Sequence, residues 1–201
     1  MNIAVFVSGR GSNLQSILQS RELADLIEIK AVISDKVECG AFEIAKKFSV
    51  PTFSLGEKDG LISYKNLSNL LTQLDIDLIV LAGFLKLIPA EVVKKYKLRI
   101  INIHPALLPS FGGKGMYGMN VHRAVYNSSA KVSGASVHFV DETYDTGTII
   151  AQECIDIRDV KSPEEIAERV LRIEHRILPR VIKLLAENKV QMLKNRVEVS
   201  E

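Results

Sequence analysis

Two polar residues at the end of an apolar segment, Asn102 and His104, have the types and spacing that catalysis can use. Residues 100–103 are otherwise isoleucines, which predict a buried strand. Because side chains alternate along a strand, residues 102 and 104 should point to the same face. Pro105 favours an extended His104 and ends the strand. A carboxamide donor and a titratable imidazole should therefore emerge side by side. The alternative is a turn-forming Asn beside a solvated His.

A second candidate segment, Ser8–Asn13, contains two glycines between an apolar strand at residues 3–7 and helical spacing at 14–18. In a strand–loop–helix arrangement, backbone N–H groups and the helix N-terminus can bind an anion. We predict a site for a small monophosphate here, with Ser12 or Asn13 capping the helix. The segment matches neither the dinucleotide fingerprint nor the phosphate loop with its lysine. An ordinary tight turn is the alternative.

The elements that must position these residues alternate between strand and helix. Apolar runs predict further strands at 27–34, 50–53 and 76–82, and helical periodicity predicts helices at 39–48, 61–74 and 90–96. Such alternation implies right-handed crossovers and a parallel sheet covered on both faces. We predict a single α/β domain with a mostly parallel, Rossmann-like mixed sheet flanked by helices, and antiparallel strands in the C-terminal half.

The second half of the sequence is less regular. Four glycines within residues 112–118 predict a mobile loop, and a short helix at 121–127 carries His122 as a surface residue. Residues 132–140 and 148–157 predict an antiparallel pair. Ser162-Pro163-Glu164-Glu165 is typical of a helix start, and this helix should run to about Leu178 and resume after Pro179 to about Asn188. Residues 190–199 predict a hairpin or a tail.

Composition excludes several classes of protein. The 201 residues are 47% hydrophobic and 25% charged, and the net charge of +2 is too small to indicate binding to nucleic acid or an anionic membrane. No apolar run is long enough for a membrane span, and the first residues predict a strand rather than a signal peptide. Two cysteines and four histidines lack disulfide-framework or metal-ligand spacing. We expect a cytoplasmic protein without a metal.

Three separated segments carry a resemblance to a known family: Gly11-Ser12-Asn13, Asn102-x-His104-Pro105, and Ser136–Val140 leading to Asp145-x-Gly147. Together with Leu81–Phe84 and Glu174-His175, they make the chain similar to the phosphoribosylglycinamide formyltransferases over essentially its whole length. The resemblance implies one formyltransferase domain at 1–201. Its halves would be a nucleotide-phosphate-binding half at 1–100 and a catalytic and folate-binding half at 101–201.

The resemblance implies formyl transfer from 10-formyltetrahydrofolate to the amine of glycinamide ribonucleotide. Negative charge develops on the formyl oxygen, and Asn102 with a protonated His104 would donate hydrogen bonds to it. Asp145 would keep His104 charged and take the amine proton through a water. His138 would support this group, by holding Asp145 or a water. No metal is implied.

The resemblance also assigns the binding residues. Gly11, Ser12 and Asn13 would hold the substrate phosphate, and Glu174 would accept hydrogen bonds from the ribose. The folate would contact two of the three catalytic side chains, Asn102 and Asp145. It would also contact two further segments, which are Leu85, Lys86, Leu87 and Ile88 and then Val140, Asp141 and Glu142. The expected partners are these small molecules, with the protein as a monomer or homodimer.

Three alternatives remain open. A formyltetrahydrofolate deformylase hydrolyses the same donor but carries a regulatory domain before its core, whereas this core starts at residue 2. A methionyl-tRNA formyltransferase has a further tRNA-binding domain, which the length and the low net charge disfavour. A non-catalytic nucleotide-binding module would use Gly11–Asn13 without any catalysis by Asn102, His104 or Asp145.

Overall fold

The structure is a computed structural model that describes residues 1–194 and 196–200. Close contacts divide the chain into two compact units, of which unit 1 is Met1–Asn102 and unit 2 begins at Ile103. The prediction of one domain with halves that meet between residues 100 and 101 stays a prediction.

Unit 1 alternates strands with helices, as the periodicity predicted. Its strands are β1 (Asn2–Val7), β2 (Glu28–Ser34), β3 (Thr52–Ser54), β4 (Leu78–Leu81) and β5 (Ile100–His104), whose last two residues begin unit 2. Its helices are α1 (Ser12–Leu18), α2 (Gly40–Lys47), a 3-10 turn (Tyr64–Asn66), α3 (Leu67–Gln73) and α4 (Ala90–Lys95). The pairs β2–β3, β1–β2, β1–β4 and β4–β5 are all parallel.

The central strand of unit 1 explains why a parallel sheet forms. Every residue from Ile3 to Val7 is fully buried, and β4 is buried along its whole length. A strand without a polar face has to be covered on both sides, which crossover helices achieve. Continuous apolar runs in the sequence therefore specify this architecture directly.

Two local predictions in unit 1 are wrong. The helix predicted over 61–74 is shorter, because Ile62 forms a β-bridge with Leu55 and the Ser63 side chain accepts the Asn66 N–H, so that helical structure begins only at Tyr64. Helix α1 lacks the predicted side-chain cap. Gly11 is its capping residue, and Ser12 already belongs to the helix.

Unit 2 contains three pairs of elements. They are the helices α5 (Met119–Asn127) and α6 (Pro163–Ala186), the antiparallel strands β6 (Val132–Phe139) and β7 (Ile149–Asp156), and the short antiparallel strands β8 (Val190–Met192) and β9 (Val197–Val199). The β6–β7 pair confirms the antiparallel prediction. A hairpin forms near the C-terminus, although Asn195, within the predicted segment 190–199, lies outside the described residues.

Helix α6 begins where the sequence predicted and ends differently. The Ser162 side chain accepts the Glu165 N–H, which confirms the predicted N-cap. The predicted break at Pro179 is wrong, because the helix continues through it to Ala186. A buried apolar stripe on both sides of the proline, including Ile173, Ile177 and Val181, stabilises the helix despite the missing N–H.

The predicted fold class is confirmed as α/β. The hydrogen-bonded strands form a seven-stranded, mostly parallel sheet in the order β3-β2-β1-β4-β5-β6-β7. Within the described residues, the helices are all too short or too polar to cross a membrane.

Candidate active site

Strand β5 carries Asn102 and His104, the residues with which the sequence argument began. Asn102 is half-buried, whereas His104 is nearly covered, with 3% of the residue exposed. Pro105 follows directly and the strand ends there, as predicted. A histidine this deeply buried needs specific polar neighbours, which distinguishes it from a solvated surface histidine.

His104 contacts a polar atom at each ring nitrogen. Its Nε2 lies 2.9 Å from the carbonyl oxygen of Phe111. Because a carbonyl only accepts hydrogen bonds, Nε2 carries a proton in this arrangement. Its Nδ1 lies 3.6 Å from Oδ1 of Asp145. A second proton on the ring would therefore face a carboxylate.

His138 repeats this arrangement on β6. Its Nδ1 lies 2.7 Å from the carbonyl oxygen of Phe139, and its Nε2 lies 3.6 Å from the same Oδ1 of Asp145. The β6–β7 register shifts between Val137 and His138. Such bulges redirect side chains beside active sites. The supporting role predicted for His138 agrees with this contact to Asp145.

Asp145 is the group that the two imidazoles share. Its side chain is 10% exposed, and its Oδ2 accepts the Gly113 N–H at 2.9 Å. Burial by itself raises the pKa of this carboxyl. The hydrogen bond from His138, the charge of His104 and the Gly113 N–H together outweigh burial and lower its pKa. Asp145 is therefore a carboxylate at neutral pH.

The prediction of a protonated His104 is wrong for the ligand-free protein. Burial lowers the pKa of His104, and the opposing attraction of Asp145 and the Phe111 carbonyl does not restore it. The ring is therefore neutral at neutral pH, with its proton on Nε2 and its lone pair on Nδ1. A neutral imidazole beside a carboxylate forms a proton acceptor, which is the state that a general base requires.

His122 was predicted to lie at the surface, and that prediction is wrong. It belongs to α5 with 5% of the residue exposed, and its Nδ1 has no hydrogen-bond partner within residues 1–194 and 196–200. Burial, with a smaller contribution from the charge of His104, lowers the pKa of His122 to about 4. The periodicity of a nine-residue helix did not reveal which face unit 2 would cover.

A buried serine braces the turn that follows His104. The Ser136 Oγ donates to the Ala106 carbonyl at 2.6 Å and accepts the Leu108 N–H at 3.0 Å. The Gln152 side chain donates to both the Leu108 carbonyl and Ser136 Oγ. Sequence reasoning missed Ser136 and Gln152. Strand alternation was the available signal, because it places Ser136 on the same face of β6 as His138.

The loop that carries Asp145 is closed by a glycine for which no substitute fits. A Cβ on Gly147 would lie 1.7 Å from the carbonyl oxygen of Phe139. The Phe139 N–H donates to the Thr148 carbonyl at 2.9 Å, which joins the two ends of the loop. Asp145 itself has a positive φ of 57°. Asp tolerates this conformation better than most residues. The backbone conformation and the need for a carboxylate therefore both favour Asp at this position.

The remaining predicted residues of unit 2 occupy distinct environments. The Asp141 carboxylate accepts the Thr143 N–H and the Thr146 hydroxyl, which shapes the turn before Asp145. Val140 is half-buried, and Glu142 is exposed. Glu174 lies on α6 and is buried although its side chain carries a carboxyl group. A buried carboxylate on an amphipathic helix is uncommon and favours a specific role.

The glycine segment of unit 1 is built around Gly11. This residue has a φ of 82°, and a Cβ there would lie 2.6 Å from the Cβ of Ala41. The Gly9 carbonyl accepts the Ala41 N–H at 3.2 Å, so α2 supports the segment from one side. Packing against α2 thus explains Gly11 without any ligand. Asn13 is buried, and Ser12 is half-buried.

The segment after β4 contains three successive exposed residues. Leu85, Lys86 and Leu87 are exposed, and Ile88 is buried. Two exposed leucines beside one another are unusual on a monomeric surface and suit the wall of an apolar binding site. The predicted loop at 112–118 lies outside the helices and strands of unit 2, and its mobility stays a prediction.

Within residues 1–194 and 196–200, no group of three or more His, Cys, Asp or Glu side chains is arranged to hold a metal ion.

The fold and the Asn/His/Asp residues define a class of protein that comparison with known families identifies. Residues 1–182 match the family described as formyl transferase, and the chain belongs to that family. A phosphoribosylglycinamide formyltransferase of Bacillus subtilis is 37% identical over 190 residues, which cover 90% of this chain and 93% of the relative. The chloroplastic phosphoribosylglycinamide formyltransferase of Vigna unguiculata is 42% identical over 200 residues, which cover 97% of this chain and 64% of the relative.

The chain is also similar to a solved structure of this family. The crystal structure of phosphoribosylglycinamide formyltransferase from Anaplasma phagocytophilum superposes with a TM-score of 0.90 at 32% identity, covering 100% of this chain and 95% of that one. The chain spans less than two thirds of the length of the plant relatives.

Proposed function

We propose that this protein transfers the formyl group of 10-formyltetrahydrofolate to the amine of N1-(5-phospho-D-ribosyl)glycinamide, in the biosynthesis of purines (IMP). The observation that carries this proposal is the Asp145 carboxylate shared by two buried imidazoles, His104 and His138. Membership of the formyl transferase family and the similarity to phosphoribosylglycinamide formyltransferases support the choice of substrates.

The first catalytic task is to receive a proton. The attacking amine must lose one proton as its nitrogen bonds to the formyl carbon, and the tetrahydrofolate nitrogen must gain one as its own bond to that carbon breaks. Asp145 is ionised, and the Nδ1 of His104 that faces it lacks a proton in the neutral ring. We assign Asp145 as the acceptor, directly or through a water, with the proton then shared with the Nδ1 of His104. Because the Nε2–H of His104 already donates to the Phe111 carbonyl, this ring does not have to turn to take the proton.

The second task is to stabilise the negative charge that develops on the formyl oxygen. We assign the Asn102 amide and the Nε2–H of His104 to this oxygen. The Nε2–H donates to the Phe111 carbonyl in the ligand-free protein. Phe111 has a φ of 56°, which is uncommon for a bulky residue. Substrate binding would therefore replace the Phe111 carbonyl as the partner of His104, with a shift of the neighbouring loop.

The binding roles follow the family resemblance residue by residue. Gly11, Ser12 and Asn13 would bind the phosphate of the ribonucleotide through backbone and side-chain donors. Glu174 would accept hydrogen bonds from the ribose hydroxyls, which accounts for a buried carboxylate on α6. The backbone of Leu85–Ile88 would bind the polar edge of the pterin.

The same resemblance places Val140, Asp141 and Glu142 against the folate. Because Asp141 already accepts hydrogen bonds from its own turn, we assign it the shaping of this segment rather than a direct contact. We propose a cytoplasmic location and small-molecule partners only, with the protein as a monomer or a homodimer. No metal takes part in the proposed mechanism.

The decisive experiment mixes the protein with 10-formyl folate and the ribonucleotide and follows the folate absorbance. Transfer is expected only when both substrates are present, with formation of the N-formyl ribonucleotide. Loss of the formyl group without the ribonucleotide would identify a hydrolase instead. No loss in either mixture, with binding of the ribonucleotide by calorimetry, would identify a non-catalytic binding module.

A further inference from the structure

A buried serine of unit 1, Ser8, joins the end of β1 to the segment after β4. Ser8 is 2% exposed. Its backbone N–H donates to the Gly83 carbonyl at 3.0 Å, and its Oγ accepts the Leu85 N–H at 3.0 Å. One residue therefore contacts two backbone groups after β4, and the second, the Leu85 N–H, belongs to the segment that we assign to the pterin.

A neighbouring carboxylate sets the orientation of the Ser8 hydroxyl. The Ser8 hydroxyl donates to Oδ1 of Asp35 at 2.6 Å. A hydroxyl has one proton, and a carboxylate only accepts, so the lone pairs of Ser8 Oγ are left to face the Leu85 N–H. A short hydrogen bond to a charged acceptor is stronger than a neutral one and limits rotation of the hydroxyl.

The segment from Gly83 to Ile88 depends on such backbone contacts. Leu85 and Leu87 are 40% and 48% exposed, so their side chains are not held by burial in the ligand-free protein. The exposed residues lie between buried Phe84 and Ile88, and such exposed stretches are the first to lose their geometry. The Ser8 hydroxyl fixes the N–H of Leu85 at the start of this exposed stretch.

Ser8 is also adjacent to the candidate phosphate segment. The next residue, Gly9, accepts the Ala41 N–H and the Cys39 thiol through its carbonyl, both at 3.2 Å. The two candidate ligand segments of unit 1 thus begin from one dipeptide, Ser8-Gly9. Only the segment after β4 uses the Ser8 side chain, so loss of the hydroxyl should affect the two ligands unequally.

We propose that Ser8 is a positioning residue for the formyl donor: its hydroxyl, oriented by Asp35, holds the Leu85–Ile88 backbone in the geometry that binds the pterin. This inference rests on the proposed function for the identity of the ligand. It concerns folate affinity and predicts little effect on the ribonucleotide or on the chemical step.

The first test compares Ser8→Ala with Ser34→Ala. Ser34 is a matched control, because it is a fully buried serine at the end of the neighbouring strand and its Oγ also accepts a backbone N–H, that of Lys36. Loss of one positioning hydrogen bond should raise the KM for 10-formyl folate about tenfold in Ser8→Ala. The kcat and the KM for the ribonucleotide should stay within about twofold. Ser34→Ala should leave all three constants near those of the wild type.

The second test uses Asp35, which is half-buried and tolerates substitution more easily. Asp35→Ala frees the hydroxyl to rotate and should raise the KM for 10-formyl folate about threefold. Asp35→Asn keeps an acceptor oxygen and should restore the wild-type KM. This pair decides the inference even where Ser8→Ala fails to fold, which thermal unfolding would reveal.

A binding measurement separates this inference from the proposed function. Calorimetry with tetrahydrofolate, which carries no formyl group, measures donor-site affinity without turnover. Weaker binding to Ser8→Ala than to Ser34→Ala supports the inference whether or not the wild type transfers formyl groups. Equal affinities for the two variants, a parallel rise in both KM values, or no binding of tetrahydrofolate to the wild type would overturn it.

Discussion

The two units of this protein prepare for their proposed ligands by different means. In unit 1, the candidate groups are mostly backbone N–H and carbonyl groups at the ends of parallel strands, held by close packing around Gly11 and by the Ser8 hydroxyl. In unit 2, they are titratable side chains, His104, His138 and Asp145, gathered around one carboxylate oxygen.

This difference shows which features of the chain each kind of site requires. A backbone site requires the correct strand and turn, which local sequence specifies, so substitutions there should change affinity. A site of buried titratable groups requires particular desolvation and particular neighbours, which come from distant segments. Substitutions in unit 2 should therefore change turnover and pH dependence.

The largest effect is expected for Asp145→Asn. Asn accepts the left-handed backbone at this position, so the fold should persist while the charge is lost. Loss of the proton acceptor should lower kcat about a thousandfold, with the KM for the ribonucleotide nearly unchanged. Steady-state kinetics measure this, with the exposed Asp156→Asn as a control of near-normal activity. Near-normal turnover of Asp145→Asn would show that the carboxylate of unit 2 is not the proton acceptor.

The second largest effect is expected for Gly147→Ala. The added Cβ would overlap the Phe139 carbonyl oxygen at 1.7 Å, so the loop that carries Asp145 has to move. We expect a loss of about 3 kcal/mol in the free energy of unfolding, together with much lower turnover. Urea unfolding measures the loss of stability, and steady-state kinetics measure the loss of turnover. Gly40→Ala in unit 1 is the matched control, since the nearest atom to its Cβ is 3.5 Å away. Equal stability of the two variants would show that the close contact at Gly147 does not determine the geometry of this loop.

The pH dependence of stability should come from unit 2. His122 has a folded pKa of about 4, below its ordinary 6.5, so the unfolded chain binds more protons between these pH values. The free energy of unfolding should therefore rise with pH across this window, and stability should be lost as the pH falls through it. The shift corresponds to about 3 kcal/mol at most.

Denaturant unfolding between pH 4 and 7 measures this effect. His122→Gln should flatten the pH profile. His175→Gln should flatten it less, because His175 is only half-buried although burial also lowers its pKa. An unchanged profile in His122→Gln would show that another group produces the dependence.

The smallest effect is expected for Ser136→Ala. Removal of its hydroxyl leaves the Leu108 N–H and the Ala106 carbonyl in a buried place without their partner, at a cost of about 2 kcal/mol. Ser133→Ala on the same strand is the control, because within the described residues the buried Ser133 hydroxyl has no hydrogen-bond partner. That variant should be neutral or slightly stabilised in thermal unfolding. Equal losses in both would mean that Ser136 does not brace the turn after His104.

Much of unit 1 could be predicted because its signals are local. The apolar run at residues 3–7 predicted a central parallel strand, and these five residues of β1 are completely buried. The glycine segment was placed correctly between strand and helix, but its capping residue was wrong. The sequence shows that a cap is needed, whereas the packing of Gly11 against Ala41 decides which residue takes that position.

The errors in unit 2 have a common physical cause. His122 and Pro179 were judged from their own helices, yet both are buried among groups from other elements. The charge state of His104 was inferred from a neighbouring carboxylate, and burial proved to be the larger influence on its pKa. Desolvation depends on everything that surrounds a group, and no spacing in the sequence reports it.

The sequence by itself determined the order of strands and helices, the position of the Asn102 and His104 pair at a strand end, and the resemblance that pointed to the formyl transferases. The first two follow from periodicity, proline and glycine, which act over a few residues, whereas the resemblance rests on the quoted motifs. Only the tertiary structure decided that one oxygen of Asp145 faces two imidazoles, that His104 is neutral, and that Ser8 and Ser136 brace their turns. Those properties depend on distances between segments far apart in the chain, which folding alone brings together.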